Sequence, residues 1–271
     1  RKDFGWWLDL NSGLDGKPEL SEEWSTVSEY LAMFDRKVAV NIASLVGNAP
    51  LRIGAVGWHD RPAGRKEIRD MKSALRESME EGAFGLSTGL DYPPGSYADT
   101  DELVELCGEA ARLGGIYHTH VRYLLGDRYL DPFKEALDIG RRSGVPVHIT
   151  HLFRRVTDPG GASRLLALVE EARGEGLDVT FDSYPYPYSS SRLVALIPEW
   201  AHEGGATDLV KRLRSKSQRA EMAEDPAFAA RDPSLFLVTN FSRKKYLPYD
   251  GWSLAAIAEA LHRSPVDALC H

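Results

Sequence analysis

The sequence has few of the features that mark secreted, membrane-bound or disulfide-rich proteins. Its 271 residues include only two cysteines, Cys107 and Cys270, and both fall in segments predicted to be helical, so no disulfide framework is expected. It has no apolar run of about 18 residues, the length a transmembrane helix requires, and its first residues lack the apolar core of a signal peptide. We therefore expect a cytoplasmic protein without a membrane partner.

An excess of positive charge is also missing. Lys and Arg total 33 against 40 Asp and Glu, which gives a net charge of -7. A negative field repels the phosphate backbone, so a nucleic-acid partner is not expected. The hydrophobic share of 43% is ordinary for a soluble globular protein with a core, and it excludes a disordered tail.

Short apolar or β-branched runs alternate with amphipathic helical stretches from residue 37 onward. This alternation predicts parallel β/α units and an α/β fold. The predicted strands cover residues 37–46, 83–89, 115–122, 145–152 and 177–186. Helices are predicted between them, at 66–81, from Thr100 as N-cap, from Asp131 as N-cap to Gly144, and from about residue 163.

The chain divides into four predicted segments. Residues 1–36 form a helical lead-in, and residues 37–188 form the central β/α units. Residues 189–250 break the rhythm and are predicted to be an insertion that contains a strand at 235–241. Residues 251–271 are predicted to return to the main fold through a helix at 253–262.

Two predicted strands have a histidine close to their carboxyl end, His120 and His151. Ligands of parallel β/α folds gather at the carboxyl ends of strands, and neutral imidazole is a common zinc ligand. Two histidines from adjacent strand ends can therefore converge on one metal ion, although hydrogen-bonded or substrate-contacting histidines would show the same pattern. We interpret His118 and His148, which lie earlier in the same runs, as structural histidines.

Two further patterns carry weaker functional signals. Alternation along the fifth run places Asp182, Tyr184, Tyr186 and Tyr188 on one face, which is more typical of packing than of catalysis. Residues 85–89 (GLSTG) have the form of a serine-nucleophile motif, but no helix follows at once as that motif requires. A serine hydrolase is therefore not favoured.

Several strings resemble the D-aminoacylase family of N-acyl-D-amino-acid deacylases. They are residues 85–95 (GLSTGLDYPPG), 119–122 (THVR), 145–151 (VPVHITH) and 182–186 (DSYPY), within matches that run in the family's order from about residue 37 to 190. The resemblance implies a zinc-dependent TIM (β/α)8-type barrel of the amidohydrolase superfamily. It also identifies the stretch after the fifth strand as a flap-like insertion.

The resemblance assigns roles to individual residues. It implies that His120 and His151 are metal ligands for one or two zinc ions, and that Arg122 supports the ligand shell. The positions that match the family's substrate pocket are Tyr92, Tyr184 and Ser190. The family's early His-x-His, its cysteine ligand and its late catalytic Asp have no counterpart, so the barrel is expected to be incomplete at both ends and its catalytic Asp to lie outside this chain.

The implied activity is hydrolysis of the amide bond of N-acyl-D-amino acids by metal-activated water. Departures from the family pattern, such as Leu152-Phe153 and Tyr123-Leu124, bear on substrate preference. Two alternatives stay open: a dihydroorotase- or hydantoinase-like cyclic-amide hydrolase, and a non-catalytic or truncated barrel fragment. The Tyr-Pro-Pro-Gly string and the Asp-x-Tyr-Pro-Tyr string favour the deacylase.

Overall fold

The computed structural model of the chain describes residues 5, 7, 10, 24–123, 128–153 and 160–271. These residues separate into two compact units. One unit lies within residues 19–187, and the other combines residues 1–18 with 188–271. Most of the predicted lead-in at 1–36 lies outside the described residues, and its described part contains a short helix, α1 (Val27–Ala32). The four-segment division stays a prediction.

The 19–187 unit is built on a five-stranded parallel sheet in which sequence neighbours pair, in the order β1-β2-β3-β4-β5. This arrangement confirms the predicted α/β class with a parallel sheet. The strands are β1 (Val46–Gly47), β2 (Gly85–Gly89), β3 (Ile116–His120), β4 (Val147–Ile149) and β5 (Val179–Phe181). The helices are α2 (Asn48–Ala55), α3 (Arg65–Glu80), α4 (Thr100–Arg112), α5 (Asp131–Ser143) and α6 (Ala162–Gly174).

The helices pack their apolar faces on one side of this sheet. Leu75 of α3 and Leu106 of α4 are completely buried, and they share one core with Leu86, Tyr117 and Ile149 of the strands. Burial of a leucine side chain stabilises a fold by about 1.5–3 kcal/mol, so this layer fixes which face of each strand points away from the helices. That second face carries the histidines of β3 and β4.

The predicted first strand, 37–46, is wrong over most of its length. Only Val46–Gly47 pairs with β2, and Val38, Val40 and Ile42 are exposed. The β-branched residues matched a strand pattern, but strand structure also requires a paired backbone, and ladder pairing begins only at Val46. The predicted fifth strand, 177–186, is also longer than the observed one, since the register with β4 runs from Val179 to Phe181.

Two predicted helix caps are displaced by one residue. Asp99, rather than Thr100, is the N-cap of α4, and its Oδ1 accepts the backbone N–H of Glu102 at 2.8 Å. Helix α5 begins at Asp131 itself, with Leu130 as N-cap. The carboxylate of Asp99 reaches the free N–H groups of the first turn, which is the interaction that fixes a helix start. Helix α5 ends, as predicted, at Gly144, whose φ is 74°.

The other unit has short helices and a small two-stranded sheet. Its strands, β6 (Leu237–Val238) and β7 (Trp252–Ser253), pair antiparallel. Its α-helices are α7 (Ala206–Arg214), α8 (Lys216–Glu224), α9 (Pro226–Ala229), α10 (Leu254–Ala260) and α11 (Pro265–Cys270). They enclose a separate core around Ala201, Leu209 and Met222. Within the described residues, no helix has the length and apolar character needed to cross a membrane.

Gly85 opens β2 where two strands approach closely, and replacing it with alanine should destabilise the protein. Its φ is 151°, and an added Cβ would lie 2.1 Å from the carbonyl oxygen of Ile116 on the adjacent strand. A backbone atom cannot swing aside as a side chain can. We therefore expect Gly85→Ala to lower the free energy of unfolding by about 2 kcal/mol or more, measured by chemical denaturation.

The matched control is Gly108→Ala in the interior of α4. A Cβ at Gly108 meets nothing within 4 Å. Because alanine has a higher helix propensity than glycine, this control should be neutral or stabilising by up to about 1 kcal/mol. Equal stability of the Gly85→Ala variant and the unmodified protein would contradict the close approach of β2 and β3.

Candidate metal site

The register of the sheet places the histidines of β3 and β4 on one face. Tyr117 and Thr119 of β3 are fully buried on the helix side, whereas His118 and His120 lie on the opposite face. In the β3–β4 ladder, His118 is the direct partner of His148, and His148 is in turn the partner of Thr180 on β5. His120 lies one side-chain layer further toward the strand ends.

His120 and His151 lie side by side, as the sequence predicted. Their ring centroids are 5.0 Å apart and the rings are inclined at 78°. His120 is the last residue of β3, and His151 lies in the turn just after β4. The two imidazoles therefore come from adjacent strand ends, the arrangement in which they can share a cation.

The backbone at His151 is held in an unusual conformation. Its φ is 47°, a region that residues other than glycine seldom occupy. Asp182 Oδ1 accepts the backbone N–H of His151 at 2.7 Å, and Tyr123 donates its hydroxyl to the His151 carbonyl at 3.0 Å. Conformations of this kind persist when surrounding contacts over-determine them, and they cluster at functional sites.

Asp91 is a site residue that the sequence reasoning missed. Its Oδ2 lies 3.2 Å from His120 Nε2, and its Oδ1 accepts the backbone N–H of Tyr123 at 2.8 Å. A carboxylate against an imidazole fixes the orientation of the ring. Asp91 follows β2 by two residues, so its position after a strand end was the available signal.

Aromatic rings flank the two histidines. The ring of Tyr92 lies 5.1 Å from that of His120, and the ring of Tyr184 lies 6.0 Å from that of His151 and 5.4 Å from that of Phe153. Both tyrosines assigned to a substrate pocket thus adjoin the histidine pair. Ser190, the third such residue, is exposed in the other unit, and its role stays a prediction.

The guanidinium group of Arg122 forms hydrogen bonds with three residues near the site. Its Nε donates to Glu135 Oε2 at 2.8 Å, its Nη1 to the Ser96 carbonyl at 2.9 Å, and its Nη2 to the Ala98 carbonyl at 2.8 Å. These bonds connect the end of β3 to helix α5 and to the loop that contains Tyr92. The geometry agrees with a supporting role for Arg122.

A second group of polar side chains lies one layer below the histidine pair. The rings of His118 and His148 stack with centroids 4.7 Å apart and an angle of 14°. His148 Nε2 is 3.1 Å from Asp182 Oδ2, and its Nδ1 is 2.7 Å from Thr180 Oγ1. Thr150 also donates its hydroxyl to Asp182 Oδ2, at 2.8 Å. No local sequence pattern groups Asp182 with these two histidines.

The pKa shifts favour the protonation states that bind cations. Burial, followed by the neighbouring His120, lowers the pKa of His151. Burial and the neighbouring His148 similarly lower the pKa of His118. Burial raises the pKa of Asp182, but hydrogen bonds from His151, His148 and Thr150 outweigh it, so the net shift is downward. Neutral imidazole and ionised carboxylate are the forms that ligate metals.

The ligand types at the strand ends are those that zinc prefers. His120 and His151 offer imidazole nitrogens from two strands, and Asp91 orients the first of them. In the part of the chain that the structure describes, one group of three His, Cys, Asp or Glu ligand atoms lies within 4.8 Å of one another, and it is His118, His148 and Asp182. The His120–His151 pair is therefore a partial set within these residues.

Comparison with curated proteins confirms the resemblance drawn from the motifs. The chain is 37% identical over 175 residues to an N-acyl-D-glutamate deacylase of Alcaligenes xylosoxydans xylosoxydans, and 36% identical over 176 residues to a D-aminoacylase from the same organism. Each match covers 64% of this chain. The chain covers only 35% and 36% of the two relatives, about a third of their length. No family model matches the chain.

Solved structures of such deacylases have a similar fold. An N-acyl-D-glutamate deacylase from Bordetella bronchiseptica, complexed with zinc and a phosphonate mimic of the tetrahedral intermediate, matches with a TM-score of 0.70 and 27% identity. That match covers 92% of this chain and 46% of the other. A D-aminoacylase described as defining a novel subset of amidohydrolases matches with a TM-score of 0.68 and 28% identity, over 91% and 45% of the two chains.

Proposed function

We propose that the protein containing this chain, whose relatives are D-aminoacylases and N-acyl-D-amino-acid deacylases, hydrolyses the amide bond of N-acyl-D-amino acids with the help of zinc. The observation that carries the proposal is the His120–His151 pair. These residues of the Thr-His-x-Arg and Ile-Thr-His motifs lie on adjacent strand ends with rings 5.0 Å apart. The identity of 36–37% to named deacylases supplies the reaction class.

The scaffold we propose is part of a (β/α)8 barrel, in which β1 to β5 are five consecutive barrel strands. Sequential parallel pairing supports this, because parallel strands of a barrel follow one another in chain order. In the same proposal, residues 189–250 form the insertion after the fifth strand. The strand ends that hold His120 and His151 correspond to the face where barrel enzymes place their active sites.

In this proposal His120 and His151 hold the zinc ion, which supplies Lewis-acid catalysis of water attack on the amide when bound. The chain's own residues orient these ligands. Asp91 Oδ2 accepts from His120 Nε2 and so fixes the orientation of that ring, while Asp182 Oδ1 accepts the backbone N–H of His151. Arg122 ties this strand end to the neighbouring loop.

Substrate contacts are proposed for the aromatic side chains beside the histidines. Tyr92 and Tyr184 flank the pair on two sides, and a phenol offers both an apolar face and a hydroxyl donor. These features suit an acyl chain and a carboxylate or amide oxygen respectively. Ser190 is proposed as a further substrate contact from its place in the motif that follows Tyr184.

The direct test is hydrolysis of N-acetyl-D-glutamate and N-acetyl-D-methionine, with their L enantiomers as matched controls. We expect amino-acid release from the D substrates, loss of that release after treatment with a chelator, and its return when Zn²⁺ is added. Hydantoin and dihydroorotate serve as substrates for the cyclic-amide alternative. Release from these cyclic amides, with none from the zinc-loaded protein acting on linear D substrates, would reject the proposal.

A further inference from the structure

We propose a separate divalent-cation site, of the type that binds zinc, formed by His118, His148 and Asp182. The three residues come from β3, from β4 and from just after β5, three neighbouring strands of the sheet. The site lies one side-chain layer below the His120–His151 pair. It does not depend on the proposed deacylase function.

The distances between the donor atoms suit a small cation. One ligand atom from each residue lies within 4.8 Å of the other two, and His148 Nε2 is 3.1 Å from Asp182 Oδ2. Zinc–nitrogen and zinc–oxygen bonds of about 2.0–2.2 Å place tetrahedral ligand atoms about 3.3–3.5 Å apart. Two of the three donors are thus near the required separation, and small side-chain rotations of His118 would bring in the third.

The backbone holds the two imidazoles in place. His118 and His148 are direct partners in the β3–β4 ladder, so their Cβ atoms are fixed by interstrand hydrogen bonds rather than by a loop. Their rings already lie 4.7 Å apart. His118 makes no hydrogen bond to any other part of the chain that the structure describes, so its nitrogens are available as donors.

The geometry also separates this site from the strand-end pair. His118 precedes His120 by two residues, a step of roughly 6.6 Å along a strand. Metal ions that share a bridging ligand lie about 3.5–4 Å apart, so a cation at His118 would not form such a pair with one at His120. Asp182 connects the two positions, because its Oδ1 holds the His151 backbone while its Oδ2 faces His148.

The competing interpretation is a hydrogen-bonded cluster that only braces the strand ends. Thr150 donates to Asp182 Oδ2, and Thr180 Oγ1 lies 2.7 Å from His148 Nδ1, so Asp182 and His148 have hydrogen-bond partners without a metal. The two interpretations differ in one measurable property. Added cations would neither stabilise a hydrogen-bonded cluster nor give visible absorption with Co²⁺. A three-ligand site would show both effects.

The experiment uses a variant from which the strand-end pair has been removed, His120→Ala with His151→Ala. Zn²⁺ titration by calorimetry should show about one bound equivalent, and Co²⁺ should give visible absorption bands typical of protein ligands. Adding His118→Phe to this variant keeps a flat ring against His148 but removes the donor. We expect this change to weaken Zn²⁺ binding by at least about tenfold.

His59→Phe in the same background is the matched control, since His59 is exposed and belongs to no group of ligand side chains within the described residues. It should leave the Zn²⁺ affinity unchanged. Far-UV circular dichroism of the metal-free variants checks folding, and His118→Gln provides a second variant if the phenylalanine is not accommodated. The melting temperature should rise on addition of Zn²⁺ only in variants that retain His118.

Absence of bound metal in the His120→Ala, His151→Ala variant would overturn the site, as would equal Zn²⁺ affinity with and without His118. These results leave the proposed function standing if the unmodified protein hydrolyses N-acyl-D-amino acids. Conversely, one equivalent of His118-dependent Zn²⁺ in a protein that hydrolyses none of those substrates would support the site and reject the function.

Discussion

Replacing His120 or His151 with alanine should reduce kcat/KM for N-acetyl-D-amino acids by at least about 10³-fold. A metal ion stabilises the charge that develops in the transition state by several kcal/mol, and each 1.36 kcal/mol corresponds to about a tenfold change in rate. The two imidazole rings are 5.0 Å apart, so replacing either histidine leaves only one imidazole of the pair to bind the metal. Amino-acid release and zinc content of each variant are the measurements.

The matched control is His59→Ala, which removes an exposed imidazole that is not part of a ligand group in the described portion of the chain. It should retain the activity of the unmodified protein. The loss in the two site variants should appear in kcat, because the metal acts on the transition state more than on substrate binding. Turnover equal to that of the unmodified protein in either His120→Ala or His151→Ala would refute the ligand assignment.

Replacing Arg52 with methionine should lower the free energy of unfolding by about 3–5 kcal/mol. The side chains of Arg52 and Glu102 are 0% and 1% exposed, and Arg52 Nη1 donates to Glu102 Oε2. Arg52 Nη2 also donates to the Arg61 carbonyl at 2.8 Å, and Glu102 Oε2 accepts the backbone N–H of Ala63 at 3.1 Å. The variant would leave a buried carboxylate without its cation.

Two comparisons separate the buried charge from the loss of packing. Replacing both partners, Arg52→Met with Glu102→Leu, removes both charges and should recover much of the stability lost in the single variant. Lys66→Ala breaks an exposed ion pair to Asp70 and should change stability by no more than about 0.5 kcal/mol. Urea denaturation measures all three, and a single-variant loss similar to that of Lys66→Ala would contradict the burial of the pair.

Local sequence patterns predicted most of the parallel sheet. Helix α3 follows from apolar residues at helical spacing, since Met71 and Leu75 fall on one face and are buried. Strand β3 follows from alternation, because Tyr117 and Thr119 are buried while His118 and His120 lie on the opposite face. Both patterns depend on neighbours within a few residues, which is why the sequence alone contains them.

Strand boundaries were less predictable than strand existence. Residues 37–46 have strand composition, yet pairing begins only at Val46. Whether an extended segment becomes a strand depends on a partner backbone. For Val46 that partner is Leu86, 40 residues further along the chain, and no local pattern records it.

Local sequence patterns are enough to predict a parallel α/β protein in which His120 and His151, in recognisable motifs, lie at or just after the ends of two strands. The contact of Asp91 with His120, and the contacts of Asp182 with His148 and the His151 backbone, arise from the folded arrangement of the strands. Strand register accounts for this difference. Alternation fixes which face a side chain occupies, but packing between strands decides which side chains from separate strands meet there.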